Sequence, residues 1–169
     1  RRIVTANNAE GKSYFQHDGP TPGVGDLGGF LDEEIWIDNP SAADINPAAD
    51  PAEAESFDLE PPLGGSRIRV FTFRPNDGTA YDPEILRAAA SRFNTGQAME
   101  AERPGMHTTP TIDYGIVMQG EITLELDSGS VQLTQGDIVV QRATAHAWRN
   151  YGDQPCVMAF VLISSSNYS

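Results

Sequence analysis

Three polar residues at one parity, His107, Thr109 and Asp113, stand ahead of a glycine-punctuated apolar stretch in the second half of the chain. Along a regular strand, residues an even number apart face the same side, and Pro110 between them is a natural place for a bulge. His146, Trp148 and Asn150 share parity in the same way. Imidazole titrates near neutral pH, and a histidine beside a carboxylate in a partly dry site is a workable general acid–base pair. Burial and mutual charge would tune both groups. The plainer alternative is that these side chains only hydrogen-bond to one another.

Other residues carry weaker signals. Arg67 and Arg69 sit two apart on a strand-like segment and suit an anionic substrate held by bidentate hydrogen bonds; the alternative is a solvated strand face. Trp148 is placed either to wall a pocket or to pack in the core. His17, in Gln16-His17-Asp18-Gly19, reads as a turn residue. Cys156 lies in an apolar run without a nearby His or Lys, the setting of a buried, inert thiol.

The elements that must position these groups are mostly strands. Arg2–Thr5 and Ser13–Gln16 flank the turn-prone Asn7–Gly11 as in a hairpin. A Gly/Pro-rich stretch from Gly19 to Gly29 leads into a strand at Glu34–Ile37, and Ser41–Glu60 reads as an acidic solvated loop. Arg67–Phe73 alternates as a strand. One helix is expected over Pro83–Phe93, capped by Asp82, with Ile85, Leu86, Ala89 and Phe93 on one stripe. Beyond Pro104 the reading is continuous β: Tyr114–Met118, Glu121–Leu126, Val131–Leu133, Ile138–Gln141, His146–Asn150 and Val157–Ile163. Many short strands with turns every 8–12 residues point to a sandwich or barrel.

The chain has 169 residues, the size of a single domain. The expected division is an N-terminal β-extension and acidic loop (1–60), a strand, loop and helix (66–104), and a core (105–165). A net charge of −13 argues against nucleic acid and anionic membranes as partners. No apolar run approaches the roughly 20 residues that span a bilayer, and the start, Arg1-Arg2-Ile3-Val4, is not a signal-peptide pattern. The single cysteine permits no internal disulfide and fits a reducing compartment, so a cytoplasmic location is expected.

Pro104-Gly105-Met106-His107 through Gly120 resembles the first motif of small single-domain cupins of the RmlC-like superfamily. That motif pairs two histidines one residue apart with a glutamate and, seven residues later, a glycine; here the positions hold His107, Thr109, Asp113 and Gly120. Gly136-Asp137 through Asn150 resembles the second motif at Gly136, His146 and Asn150. Its intervening turn, Gln141–Ala145, is one residue shorter than usual and lacks the proline and glycine. The resemblance implies an all-β double-stranded β-helix, a jelly-roll barrel, with His107, Asp113 and His146 converging in its lumen. It implies no cofactor or one divalent metal ion (Fe, Zn or Mn), held by those three residues as two imidazoles and a carboxylate. Thr109 in place of histidine and Asp113 in place of glutamate weaken that ligand set.

The function expected is a lyase, decarboxylating or dehydrating a small oxygenated organic acid. In it His146 or His107 moves the proton, Asp113 orients the imidazole, and Arg69, Thr109 and Trp148 touch the substrate. A non-heme iron dioxygenase with the same three ligands and a non-catalytic binding module are the alternatives. Cupins often pair subunits through N-terminal strands, so a homodimer is expected.

Overall fold

The computed structural model describes residues 1–26, 28–41, 49–53, 58–76, 100 and 102–165. The helix expected over Pro83–Phe93 lies outside the described residues. Those described form strands almost throughout, as the alternating sequence implies.

The N-terminal hairpin is present. Strands β1 (Arg2–Asn7) and β2 (Ser13–Gly19) pair antiparallel, with a bulge between Val4 and Thr5. In their turn the Asn8 side-chain oxygen accepts from the backbone N–H groups of Glu10 and Lys12. The Gly/Pro-rich stretch, to which the sequence assigned no strand, holds a short one, β3 (Gly23–Asp26), paired with β4 (Phe30–Asp38). The acidic segment contributes one turn of 3-10 helix at Pro51–Glu53. Asp50 just before it pairs with Arg2, tying the hairpin to this turn.

Strands β5 (Ser66–Phe73), β6 (Thr111–Gln119), β9 (Ile138–Arg142) and β11 (Cys156–Ser164) complete a six-stranded sheet in the order β3-β4-β5-β11-β6-β9. Strands β7 (Glu121–Leu126), β8 (Gly129–Thr134) and β10 (His146–Arg149) form a three-stranded sheet in the order β10-β7-β8. The core lies between them. Phe71, Val117, Met158, Phe160 and Leu162 from the large sheet meet Ile122, Leu124 and Leu133 from the small one. These are the inward residues of alternating strands, the pattern of a jelly roll.

The turn from β6 into β7 depends on Gly120. Its φ of +80° is in the left-handed region, and a Cβ there would lie 2.7 Å from the Pro155 carbonyl oxygen. The glycine of the first motif is therefore required by backbone conformation and by close approach alike.

Candidate functional site

His107 and His146 meet across a mutual backbone bridge. Each N–H donates to the other's carbonyl oxygen at 3.0 Å, so the two side chains leave the backbone as neighbours. Their ring centroids are 4.3 Å apart. The turn before His107 passes through Gly105 at φ +80°, and Arg149 fastens it by donating to the Pro104 carbonyl at 2.7 Å and to Glu125 at 2.9 Å.

The tautomers follow from the partners. His107 Nδ1 lies 3.0 Å from the Gly105 carbonyl and His146 Nδ1 2.9 Å from the Thr144 carbonyl. A carbonyl only accepts, so each Nδ1 carries the proton and each neutral ring keeps its lone pair at Nε2. Burial, reinforced by the nearby Arg149 charge, lowers the His107 pKa. Burial and the neighbouring His107 push His146 down to about 3. Both rings are neutral at physiological pH.

The shortened turn ahead of His146 has its own support. Ala143 adopts φ +47°, unusual for a residue with a Cβ. The buried Gln141 amide donates to the Thr144 carbonyl at 3.2 Å and to its hydroxyl, and Ala143 N–H donates to the Thr111 carbonyl at 3.0 Å. Gln141 was not singled out by sequence reasoning. Its signal was parity with Val139 on a short strand that otherwise reads as apolar.

Asp113 lies on the inner face of β6 and is 6% exposed. The Thr111 hydroxyl donates to that of Thr109 at 2.8 Å, and both hydroxyls lie close enough to the Asp113 carboxyl to act to lower its pKa. Burial nevertheless wins and raises its pKa to about 6, against the lowering effect of the threonines. Its Oδ1 has no hydrogen-bond partner. Thr109, expected to touch substrate, is buried next to this carboxyl and accepts from Thr111. Among the described residues no three His, Cys, Asp or Glu side chains come together as a metal-holding group. The structure thus brings His107 and His146 together and leaves Asp113, short and turned to the threonines, outside them. The donor set does not fit a two-imidazole, one-carboxylate face.

Trp148 packs edge-on against His146, with centroids 5.9 Å apart, and against Phe160 at 5.4 Å; Phe160 in turn meets Phe71 at 5.5 Å. An aromatic wall therefore runs from the imidazoles into the core. Gly115 permits it, because a Cβ there would be 3.0 Å from the Phe160 ring. Asn150, the last residue of the second motif, is structural. Its amide donates to the carbonyls of Phe73 and Gln154, and its side-chain oxygen accepts from Gly152.

The two arginines are not on a solvated face. Arg69 is 0% and Arg67 5% exposed, both facing inward beside Asp32 and Glu34 of β4. Arg69 is committed to the protein: it donates to Glu34 Oε2 through Nε at 3.1 Å and Nη2 at 2.8 Å, and to the Asp58 carbonyl at 2.5 Å. Burial raises the Asp32 pKa to about 6 despite Arg69. The sequence did carry a signal for this cluster, since residues 32 and 34 alternate on one strand as 67 and 69 do on the next. His17, read from the sequence as a turn residue, lies instead within β2 opposite Val4, and its ring hydrogen-bonds to the Pro20 carbonyl at 3.0 Å. Cys156 is fully buried, and burial pushes its thiol up to about 11, which keeps it inert.

The family model described as "Cupin domain" matches residues 96–163. The chain is 32% identical over 156 residues to phomopsin biosynthesis cluster protein C' of Diaporthe leptostromiformis, covering 88% of this chain and 69% of that protein. It is 33% identical over 176 residues to the cupin-domain-containing oxidoreductase virC of Hypocrea virens, covering 96% and 74%. A solved cupin domain of an XRE family transcriptional regulator from Enterobacter cloacae aligns with a TM-score of 0.46 at 10% identity, over 81% of this chain and 98% of that one. This chain belongs to the cupin family. Its cofactor complement is none or one divalent metal ion, as in cupins generally.

Proposed function

We propose that the protein is an enzyme of secondary metabolism that transfers protons on a small oxygenated organic molecule, a lyase catalysing dehydration or decarboxylation. The observation that carries this reading is Asp113, a buried carboxyl with a pKa near 6 and an unpartnered Oδ1. A base poised near the working pH is the most effective kind. The relatives' names support the setting, since one is a biosynthesis cluster protein.

The roles differ from those expected at the motif level. Here Asp113, beside the Thr109 and Thr111 hydroxyls, is itself the base rather than the group that orients an imidazole. In this reading the Asp113 carboxylate takes the proton next to a substrate carbonyl, and the leaving β-hydroxyl takes that proton to depart as water. The His107 and His146 Nε2 atoms accept hydrogen bonds from substrate hydroxyls, and Trp148 packs against the carbon skeleton. A homodimer and a cytoplasmic location belong to the same proposal; among the described residues no helix is long and apolar enough to cross a membrane.

The test is a panel of β-hydroxy and β-keto acids in deuterated water, followed by NMR and mass spectrometry. Loss of water from a β-hydroxy acid, or loss of carbon dioxide from a β-keto acid with a solvent deuteron delivered to the α-carbon, abolished in Asp113→Asn, is the expected result. The names of several relatives favour a second reading, an oxidoreductase using the same pocket. Products lacking two hydrogens, or consumption of oxygen, would establish that reading in place of the first.

A further inference from the structure

Among the described residues Arg67 is a buried, inward-facing arginine with two guanidinium nitrogens that make no hydrogen bond. Its Nε and Nη1 are buried without a hydrogen-bond partner, as are the Asp32 oxygens and Glu34 Oε1 of the same cluster, and the ion-pair partner of Nη1, Glu34 Oε2, is 3.6 Å away and already takes two bonds from Arg69. That distance is beyond a hydrogen bond. A buried guanidinium lacking partners is costly, and a planar oxyanion is the group whose geometry it matches.

Register places Arg67 with respect to Asp113. Arg67 is opposite Leu162, and Leu162 is opposite Asp113, so the three form one row across β5, β11 and β6. All three are buried inward residues. At about 4.8 Å per strand spacing, the Cα atoms of Arg67 and Asp113 are roughly 10 Å apart on the same face. One end of the row thus offers unmatched donors, the other an unmatched acceptor, Asp113 Oδ1, and an apolar side chain lies between.

We propose that Arg67 is the residue that binds an anionic group, a carboxylate or enolate, of the small-molecule ligand, holding the carbon skeleton over Leu162 with its acidic position toward Asp113. This rests on the reading of the inner face as a small-molecule site and names the ligand class: an organic anion. Arg69, the residue the sequence favoured for this role, instead holds Glu34 Oε2 with two hydrogen bonds and leaves Arg67 the longer ion pair at 3.6 Å.

Titration of the full chain with benzoate and with the uncharged benzamide, by calorimetry and thermal shift, tests the proposal without requiring turnover. Benzoate should bind and raise Tm, and benzamide should bind roughly tenfold or more weakly. Arg67→Gln should remove the benzoate advantage and leave benzamide unchanged. Should the glutamine variant fail to fold, Arg67→Lys, which keeps charge and loses the fork, should weaken benzoate severalfold. Equal binding of the two probes by the native protein, no binding of either, or undiminished benzoate binding by a folded Arg67 variant would each overturn it; the last two are what a purely structural Arg67 closing on Glu34 predicts. Asp113→Asn should keep benzoate binding, so failure of the acid–base reading and failure of this one are seen separately.

Discussion

The pocket's titratable residues respond to burial in opposite directions, and the signs can be worked out for each. Asp113 rises from 3.8 to about 6 on folding. Between those values the folded chain binds more protons than the unfolded, so stability falls as pH rises through that window, by about 3 kcal/mol for this group. His146 falls from 6.5 to about 3, so its contribution grows as pH rises from 3 to 6.5. The two oppose each other, and Asp113→Asn should unmask the histidine. Urea unfolding at pH 4, 5 and 6 should show stability climbing more steeply with pH in that variant than in the native protein; an equal or shallower slope would contradict the buried-acid assignment. Asp113→Asn should cut activity by about 100- to 10,000-fold, the span of a general acid–base contribution, and His146→Ala, which removes only an acceptor for a substrate hydroxyl, by about tenfold. An unaltered rate in a folded variant would remove this histidine from the chemistry. From sequence, the residue types and the His107–His146 encounter were legible through the motifs. The threonine partners of Asp113 were not, because a hydroxyl at a ligand position reads as a loss and its hydrogen bond is visible only in space.

At the level of elements, legibility followed the visibility of the alternation. Strand β7 was readable from end to end because Ile122 and Leu124 alternate with Glu121, Thr123 and Glu125. Strand β6 begins at Thr111, three residues before the Tyr114 suggested by the sequence, since its first inward residues are Thr111 and Asp113. Polar lining of a site erases the very pattern by which a strand is recognised. Strand β3 was hidden for a different reason: Gly23 and Gly25 have no side chains to alternate. The same inward positions set the stability prediction. Ile122 is 2% exposed between the sheets, so Ile122→Ala should cost roughly 2–5 kcal/mol by denaturant unfolding. Its residual activity in the folded fraction should be near native, placing it apart from His146→Ala on a plot of rate against Tm. A large loss of rate without loss of stability would reverse that assignment.

For the molecule as a whole, the homodimer expected from surplus N-terminal strands now has fewer strands to spare. Strands β3 and β4 are spent within the chain's own six-stranded sheet, leaving the β1–β2 hairpin, on which Phe15 is 72% exposed with Tyr14 and Ile3 also open. Light scattering at micromolar concentration should give twice the 18.3 kDa chain mass; a single-chain mass would end the dimer proposal. Long-range pairing on this scale was the least legible property of the sequence, because nothing local in Phe30–Asp38 says that its partner is β5. The bridge between His107 and His146 has a consequence on the same scale. It ties the segment entering the large sheet to a strand of the small one, and neither histidine has its neighbour until the two sheets have docked. A partly folded chain, newly made or heat-damaged, therefore lacks the paired imidazoles altogether. Under the proposed function, maturation and competence coincide.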